Sequence, residues 1–251
     1  QSTTKYSADF NTPLASIPTS VYRLDHDNLT ILRQSNDSLL DDANQIAHYK
    51  LDGDATDRKG AYDGTATNVT YAAGKFGNAA VFNGTSSRIA GTPNYSDGMS
   101  ISLWLKTTEL TSNLPIVMFD LDGKALSIWG GVPYAQYGNA NNLNASSDNP
   151  IASNVWTHIV AIFNTANSAT MYINSSLQSS TIATWITNAA AVPMIGARAL
   201  LDAFFVGSID QVRIFDRALT PTEVESLYNE ELLSTATTAT VLDSRTGLIA
   251  S

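Results

Sequence analysis

The side chains best suited to bind a ligand are aromatic residues that stand in or next to loop-like sequence, together with asparagines close to them. Aromatic rings stack on the C–H faces of sugar rings, and amide groups hydrogen-bond sugar hydroxyls. The pattern therefore indicates carbohydrate binding, although the same tryptophans would also suit the covered edges of a β-sandwich. The candidate residues are Trp129, Tyr134, Tyr137, Asn139, Asn142 and Trp185.

No pattern for catalysis accompanies them. A glycosidase needs two carboxyl groups about 5–9 Å apart across the scissile bond, and no strand-like segment carries alternating Asp or Glu. The histidines His26, His48 and His158 are dispersed. His158 lies in an apolar run, so we expect a packed strand residue and not a general base. We therefore expect no enzyme activity and no catalytic residues.

Composition excludes several further classes. The sequence has no cysteine, which excludes disulfides, thiolate metal sites and a cysteine nucleophile. With 23 acidic and 14 basic residues the formal net charge is -9, and no basic run compensates it, which argues against nucleic acid and anionic membranes as partners. No apolar run approaches the roughly 18 residues of a membrane span, so we expect no membrane insertion.

The elements that must position the candidate residues are short strands. Residues 45–231 alternate between apolar runs and clusters of Gly, Asn, Asp and Ser, which indicates an all-β, two-sheet antiparallel sandwich. Ser100–Lys106 alternates cleanly, whereas Thr157–Asn164 is continuously apolar, as in a central strand. Strands are also expected at residues 47–51, 79–82, 115–120, 126–129, 169–173, 192–195 and 207–215.

Residues 207–228 join an alternating strand to a capped helix. Thr220 is a predicted N-cap, Pro221 takes the first helical position, and Glu223 completes a capping box. This helix is the only convincing one in the sequence. This segment therefore predicts that the last element of the sandwich domain is one short helix.

These segments, taken in order, resemble laminin-G-like jelly-roll domains of the concanavalin A-like lectin and glucanase group. Residues 48–52 are similar to the opening strand, 74–84 to a glycine turn that feeds a strand, and 155–160 to a tryptophan-histidine strand. The turn Asn174-Ser175 stands where family members usually carry aspartate-glycine. The resemblance covers about residues 46–230 and implies a jelly roll, in a group that includes lectins, adhesion modules, enzyme appendages and virion proteins.

The resemblance also implies a structural Ca²⁺, because members of this group often hold one on the convex face. Its oxygens would come from the closing strand, the first strand and the segment after the glycine turn, and Ca²⁺ takes six to eight oxygens. The alternative is that the closing-strand carboxylate pairs with Arg213 or Lys50. The implied metal residues are Asp210, Asp52, Asn83 and Gly84.

Two arms flank the predicted domain of residues 45–231. Residues 1–44 are polar with one possible hairpin, and residues 232–251 are rich in Thr, Ala and Ser. We expect a non-catalytic module, glycan-binding or adhesive, located outside the cell, on the cell surface or on a virion. The alternative is a structural subunit of a filament, capsid decoration or tail fibre, which binds copies of itself or other surface subunits through the arms. A glycan-active enzyme is the third, least favoured hypothesis.

Overall fold

The computed structural model of the chain describes residues 21–23, 32–34, 42–94, 98–120, 125–136, 143–164, 168–178, 190–230, 241–242 and 249–250. These residues form short strands and one helix, α1, Pro221–Tyr228. The strands are β1 Val21–Arg23, β2 Leu32–Gln34, β3 Gln45–Tyr49, β4 Thr65–Thr67, β5 Thr70–Ala73, β6 Asn78–Asn83, β7 Arg88–Ala90, β8 Ser100–Lys106, β9 Asn113–Asp120, β10 Ala125–Trp129, β11 Val132–Gln136, β12 Leu143–Ser146, β13 Thr157–Asn164, β14 Ser168–Ile173, β15 Ser176–Leu177, β16 Ala190–Ile195, β17 Val206–Phe215, β18 Val241–Leu242 and β19 Ile249–Ala250.

Two antiparallel sheets make up the sandwich. One has seven strands in the order β12-β11-β10-β9-β16-β7-β4, and the other has eight, in the order β15-β14-β13-β8-β17-β6-β5 with β3 beside β17. The predicted all-β jelly roll with one short helix is confirmed. Within the described ranges, no helix has both the length and the apolar composition needed to span a bilayer.

The two arms contribute one short hairpin each. β1 pairs with β2 and β18 pairs with β19, both antiparallel. The rest of residues 1–41 and 231–251 lies outside the described residues. The predicted role of the arms in assembly therefore stays a prediction.

Strand alternation builds the core between the sheets. Ile101, Leu103 and Leu105 of β8 are fully buried and pack in the same apolar cluster as Ile159 and Phe163 of β13. Burying a side chain of this size stabilises the fold by about 1.5–3 kcal/mol relative to leaving it exposed. The apolar faces of both sheets thereby hold the sandwich together.

Helix α1 covers part of the outer face of the eight-stranded sheet. Val224 and Leu227 lie in a second apolar cluster with Phe215 of β17. The predicted cap is confirmed, since the Thr220 side chain accepts from the Glu223 N–H and the Glu223 carboxylate accepts from the Thr220 N–H. Arg217 also donates to Glu223, at 2.7 and 2.9 Å.

A bulge in β17 explains why its apolar residues do not alternate strictly. The register with β8 shifts between Asp210 and Arg213, and Gln211 takes a positive φ of 50°. The bulge adds one residue to β17, so the core-facing residues on either side of it are three positions apart instead of two. Ile209 and Val212 consequently both lie in the core between the sheets.

Several strands lie where the sequence carried no clear signal. Residues 132–136 follow a Gly-Gly pair and were expected to be loop-like, but they form β11, paired with β10. The short strands β4, β5, β7, β12 and β15 were also not predicted. Their two to four residues are too few to show a period.

Candidate functional site

Trp129 lies at the end of β10, on the outer face of the seven-stranded sheet. Leu126 and Ile128 of the same strand are buried in the core, so the alternation of the strand directs Trp129 away from it. Its side chain is 52% exposed. Asn113 of β9 is its register partner and shares this outer face.

Tyr134 reaches the same face from the neighbouring strand. It pairs with Ser127, two residues before Trp129, and its hydroxyl donates to the Asn113 Oδ1 at 3.0 Å. Burial raises the pKa of Tyr134, and contacts with Ser127 and Asn113 oppose that rise. Tyr134 is therefore a buried support of the surface and not an exposed stacking platform, because only a small fraction of its side chain is accessible.

A charged pair lies close to Tyr134. The charge of the Arg198 guanidinium is the smallest of the influences that oppose the rise in the pKa of Tyr134. Arg198 Nη1 also lies 3.3 Å from Asp202 Oδ2. We call Trp129, Asn113, Tyr134, Arg198 and Asp202 the outer-face site.

The outer-face site contains two of the six predicted ligand residues. The other four, Tyr137, Asn139, Asn142 and Trp185, lie outside the described residues. Sequence reasoning missed Asn113, Arg198 and Asp202. No local motif marks them, since they reach the site from β9 and from the turn after β16, far from Trp129 in the chain.

Asp210 forms a second site with the loop of residues 74–77. Its Oδ2 accepts from the backbone N–H groups of Lys75 and Phe76, at 2.8 and 2.9 Å. Its Oδ1 is buried and accepts no hydrogen bond of good geometry, although the Gln211 N–H lies close enough to lower the pKa of this carboxyl. Burial raises the pKa of Asp210 to about 6, and the charge of Asp52 contributes to the rise.

Asp52 lies against the end of the same loop, next to Gly77. Its Oδ1 accepts from the Asn78 N–H at 2.8 Å. A side chain at Gly74 would overlap the Asp210 carboxylate, and one at Gly77 would overlap the Asp52 carboxylate. The two glycines therefore let the loop approach both acidic groups closely.

Asn83 is the last residue of β6, and Gly84 follows it. Asn83 pairs with Val206, whereas Asp210 lies four residues further along β17. The Asn83 Oδ1 accepts from the N–H groups of Thr85, Ser86 and Ser87, at 2.9 to 3.1 Å. The structure thus brings Asp52 and Asp210 to one loop and separates them from Asn83 and Gly84.

The chemistry of this loop suits a cation. An unpaired, fully buried carboxylate oxygen is costly, and a bound cation would satisfy it. Asp210 and Asp52 could each supply an oxygen, and Ca²⁺ accepts backbone carbonyls for the remainder. The described residues contain no group of three or more His, Asp or Glu side chains arranged for a metal.

One of the two alternative partners expected for Asp210, Arg213, is engaged elsewhere. Arg213 instead pairs with Glu230, with Nη1 2.7 Å from Oε2 and Nη2 2.8 Å from Oε1. His158 is buried, as predicted, and its Nε2 lies 2.9 Å from the Ser102 hydroxyl. Burial is the main cause that lowers the pKa of His158, to about 3.

Asp57 is a buried acidic residue with a structural task. Its Oδ1 accepts from the N–H groups of His48 and Lys59, and its Oδ2 accepts from those of Ala61 and Tyr62. These four bonds, at 2.8 to 3.1 Å, hold the loop after β3 in place. A carboxylate whose two oxygens accept four N–H groups serves to stabilise the fold.

Solved structures with the same architecture include carbohydrate-related and toxin domains. Domain 4 of AbnA, a GH43 extracellular arabinanase from Geobacillus stearothermophilus, was solved with arabinotriose; it is 27% identical, with a TM-score of 0.62, over 73% of this chain and 98% of that one. The binding domain of Paraclostridial Mosquitocidal Protein 1 is 20% identical, with a TM-score of 0.54, over 70% of this chain and 49% of that one.

The receptor binding domain of botulinum neurotoxin type G is 22% identical, with a TM-score of 0.54, over 75% of this chain and 52% of that one. This chain thus spans about half the length of the two toxin domains, and at this identity they show the fold alone. Among curated proteins, none matches the chain in sequence. Residues 82–225, more than half of the chain, match the Laminin_G_3 profile. The chain therefore belongs to the Laminin_G_3 family of the concanavalin A-like lectin/glucanases superfamily.

Proposed function

We propose that this chain is a non-catalytic carbohydrate-binding module whose outer-face site takes a sugar ring. The observation that carries the proposal is Trp129, an indole that is 52% exposed on a regular strand. Tryptophan is usually mostly buried, so an exposed ring whose register partner is Asn113 is the arrangement expected of a sugar platform. The ring would stack on C–H groups, while Asn113 and the Arg198–Asp202 pair offer hydrogen bonds to hydroxyls.

The similarity to the arabinanase domain supports this proposal. That domain was solved with arabinotriose, and the chain matches it over 98% of its length. A domain of an extracellular arabinanase also supports an extracellular polysaccharide as the ligand. Arabino-oligosaccharides are accordingly the first probes to use.

A glycan array and a hydrolysis assay test the proposal together. The full chain, applied with and without Ca²⁺, should retain at least one neutral glycan and should release no new reducing ends from it. Retention of no glycan in either condition would overturn the binding function. Release of reducing ends would overturn its non-catalytic nature.

We also propose that Asp210 and Asp52 hold a structural Ca²⁺. The unpaired Oδ1 of Asp210 and the charge interaction of this carboxylate with Asp52 support the site. A bound Ca²⁺ would supply positive charge to two carboxylates that otherwise repel each other. Asp210 would then tie the 74–77 loop to β17 through the ion as well as through its two N–H donors.

A further inference from the structure

A small cleft lies at the corner of the sandwich where β12 approaches β14. Its volume is about 220 Å³, and its walls include seven residues of the 147–157 segment and residues of the β14–β15 hairpin and its end. We call it the corner cleft. Lining side chains include Ser147, Asn149, Ile151, Val155, Asn174 and Gln178.

Two of the amide groups in the corner cleft, those of Gln178 and Asn174, are held in place by the fold. Gln178 accepts from the Asp148 N–H at 3.1 Å and donates to the Ser176 carbonyl at 2.8 Å. The Asn174 Oδ1 accepts from the His158 N–H at 2.9 Å. Because the oxygen of Asn174 is fixed, the direction of its NH₂ group is fixed too. Preorganised polar groups lose little entropy when they bind a ligand.

Apolar side chains flank these amides. Among the lining residues, Ile151 is buried and Val155 is 51% exposed. A sugar ring offers C–H groups on its faces and hydroxyls around its edge, so this mixture matches it. The cleft is smaller than the roughly 300–1,000 Å³ of sites that bury drug-sized ligands, and this size suits one ring.

Among the described residues, the lining carries no charged side chain. An uronate or sulfate group buried there would find no counter-charge, and an unpaired charge is costly to desolvate. The net charge of -9 adds a repulsive field for any acidic polysaccharide. The cleft therefore selects for a neutral sugar.

Backbone contacts connect the corner cleft to the Trp129 hairpin. The Ile151 N–H donates to the Gly131 carbonyl at 2.9 Å, and the Ser147 N–H donates to the Pro133 carbonyl at 2.8 Å. Gly131 lies in the turn that directly follows Trp129. One hairpin thus carries the exposed indole and supports the loop that forms a wall of the cleft.

From these contacts we infer that the corner cleft is a second carbohydrate subsite, which takes a further ring of a neutral oligosaccharide bound over Trp129. The inference rests on the proposed function. It adds a length dependence, since an oligosaccharide that reaches both surfaces gains contacts that a shorter one lacks. It also adds three recognition residues, Asn149, Asn174 and Gln178.

Chain-length titrations with a blocked cleft test the inference. Ala152 is exposed and lines the cleft, whereas its exposed neighbour Ser153 is not among the lining residues. We expect Ala152→Trp to abolish the gain in affinity between short and long linear arabino-oligosaccharides, a loss of about tenfold for one ring. Ser153→Trp, with the same added bulk, should keep it. Calorimetry on the full chain gives the affinities, and melting curves verify folding.

The outcomes separate the two proposals. If the wild-type chain binds no glycan, the carbohydrate function and the subsite both fail. If it binds without a gain in affinity with length, or if Ala152→Trp keeps the gain, only the subsite fails. Side-chain NH₂ resonances of Asn149, Asn174 and Gln178 give a check that needs no substitution. They should shift with the long oligosaccharide, and unchanged resonances would overturn the subsite.

Discussion

At the scale of single residues, Asp210 shows how one acidic side chain can serve the fold and a ligand. One oxygen accepts two backbone N–H groups of the 74–77 loop, and the other is buried and accepts no hydrogen bond of good geometry. The first oxygen explains why the loop has its shape. The second oxygen is the atom that we propose contacts Ca²⁺, and a substitution of Asp210 tests this proposal.

We expect Ca²⁺ to raise the melting temperature of the wild-type chain and to have little effect on Asp210→Asn. The amide keeps the size of the side chain but removes the charge that Ca²⁺ requires. Calorimetric melting with Ca²⁺ and with EDTA measures the difference. Asp216→Asn, at an exposed position six residues further along, removes the same charge and should still respond. Equal responses of the wild type and Asp210→Asn would dismiss the site.

Trp129 is the residue on which carbohydrate affinity should depend most. Trp129→Ala removes a stacking surface worth about 1–2 kcal/mol, so affinity for a bound oligosaccharide should fall about 5- to 30-fold. Stability should change little, because the indole is half exposed. Titration calorimetry measures the loss. Tyr62→Ala, another partly exposed aromatic at 38%, is the control and should bind like the wild type.

At the scale of elements, β17 and α1 close the domain, and local geometry decides whether they can form. Gly207 in β17 has a φ of +134°, and a Cβ there would overlap the Lys106 carbonyl oxygen. Thr220 caps α1 and satisfies an N–H that has no partner within the helix. Each feature can be tested by comparing a variant that disrupts it with a variant at a similar position that does not.

Gly207→Ala should destabilise the chain much more than Gly53→Ala does. Both glycines have nearly the same φ, +134° and +136°, but a Cβ at Gly53 meets no atom within 4 Å. Backbone strain of about 1–3 kcal/mol is common to both, and the clash with β8 is specific to Gly207. Urea unfolding measures the two losses. Equal losses would show that β17 can move away from β8 at that point without lowering the free energy of unfolding.

Thr220→Ala should lower the free energy of unfolding by about 1 kcal/mol, the usual value of an N-cap side chain. The matched control is Thr222→Ala, an exposed position inside the first turn of α1, which should be neutral or slightly stabilising because alanine favours helices. Chemical denaturation of both variants makes the comparison. A neutral Thr220→Ala would mean that tertiary packing alone holds the helix.

At the scale of the whole molecule, burial of ionisable groups makes stability depend on pH. His48 and His158 are both buried, and burial together with the charge of Arg213 lowers the pKa of each from 6.5 to about 3. Between these values the unfolded chain takes up protons that the folded chain rejects. Stability should therefore fall as the pH falls from about 6.5 towards 3.

Other groups modify this dependence. Asp210 acts in the opposite direction between about pH 6 and 4, because its folded-state pKa is raised. Glu223 adds to the acid instability, since Arg217 chiefly lowers its pKa from 4.5 to about 2. The stabilisation that the Glu223 carboxylate supplies is complete above pH 4.5 and is lost as the pH falls from 4.5 to about 2.

His158→Gln should reduce the slope of stability against pH by up to about 1.4 kcal/mol per pH unit below pH 6. Urea unfolding at several pH values between 7 and 4.5 measures this slope for the wild type and the variant. The slope is the readout because a lost packing contact lowers stability at every pH equally. The double variant with His48→Gln should remove about twice as much. An unchanged slope would show that His158 titrates normally in the folded chain.

The sequence by itself determined the sandwich, its main strands and the capped helix. Those signals are local: the alternation in Ser100–Lys106 and the side chains of Thr220 and Glu223 act within a few residues of one another. Trp129 was predicted as a ligand residue for the same local reason, since an aromatic beside a Gly-Gly pair is visible in the sequence.

Tertiary structure alone decided which residues meet. Strand pairing placed Asn113 opposite Trp129, put Tyr134 in a buried strand and separated Asn83 from Asp210 along β17. The corner cleft likewise combines residues of the 147–157 segment with residues of the β14–β15 hairpin and its end. Register between distant strands depends on the packing of both sheets, and no segment contains that information by itself. The fold was therefore readable from local patterns, whereas the composition of each site was set by long-range pairing.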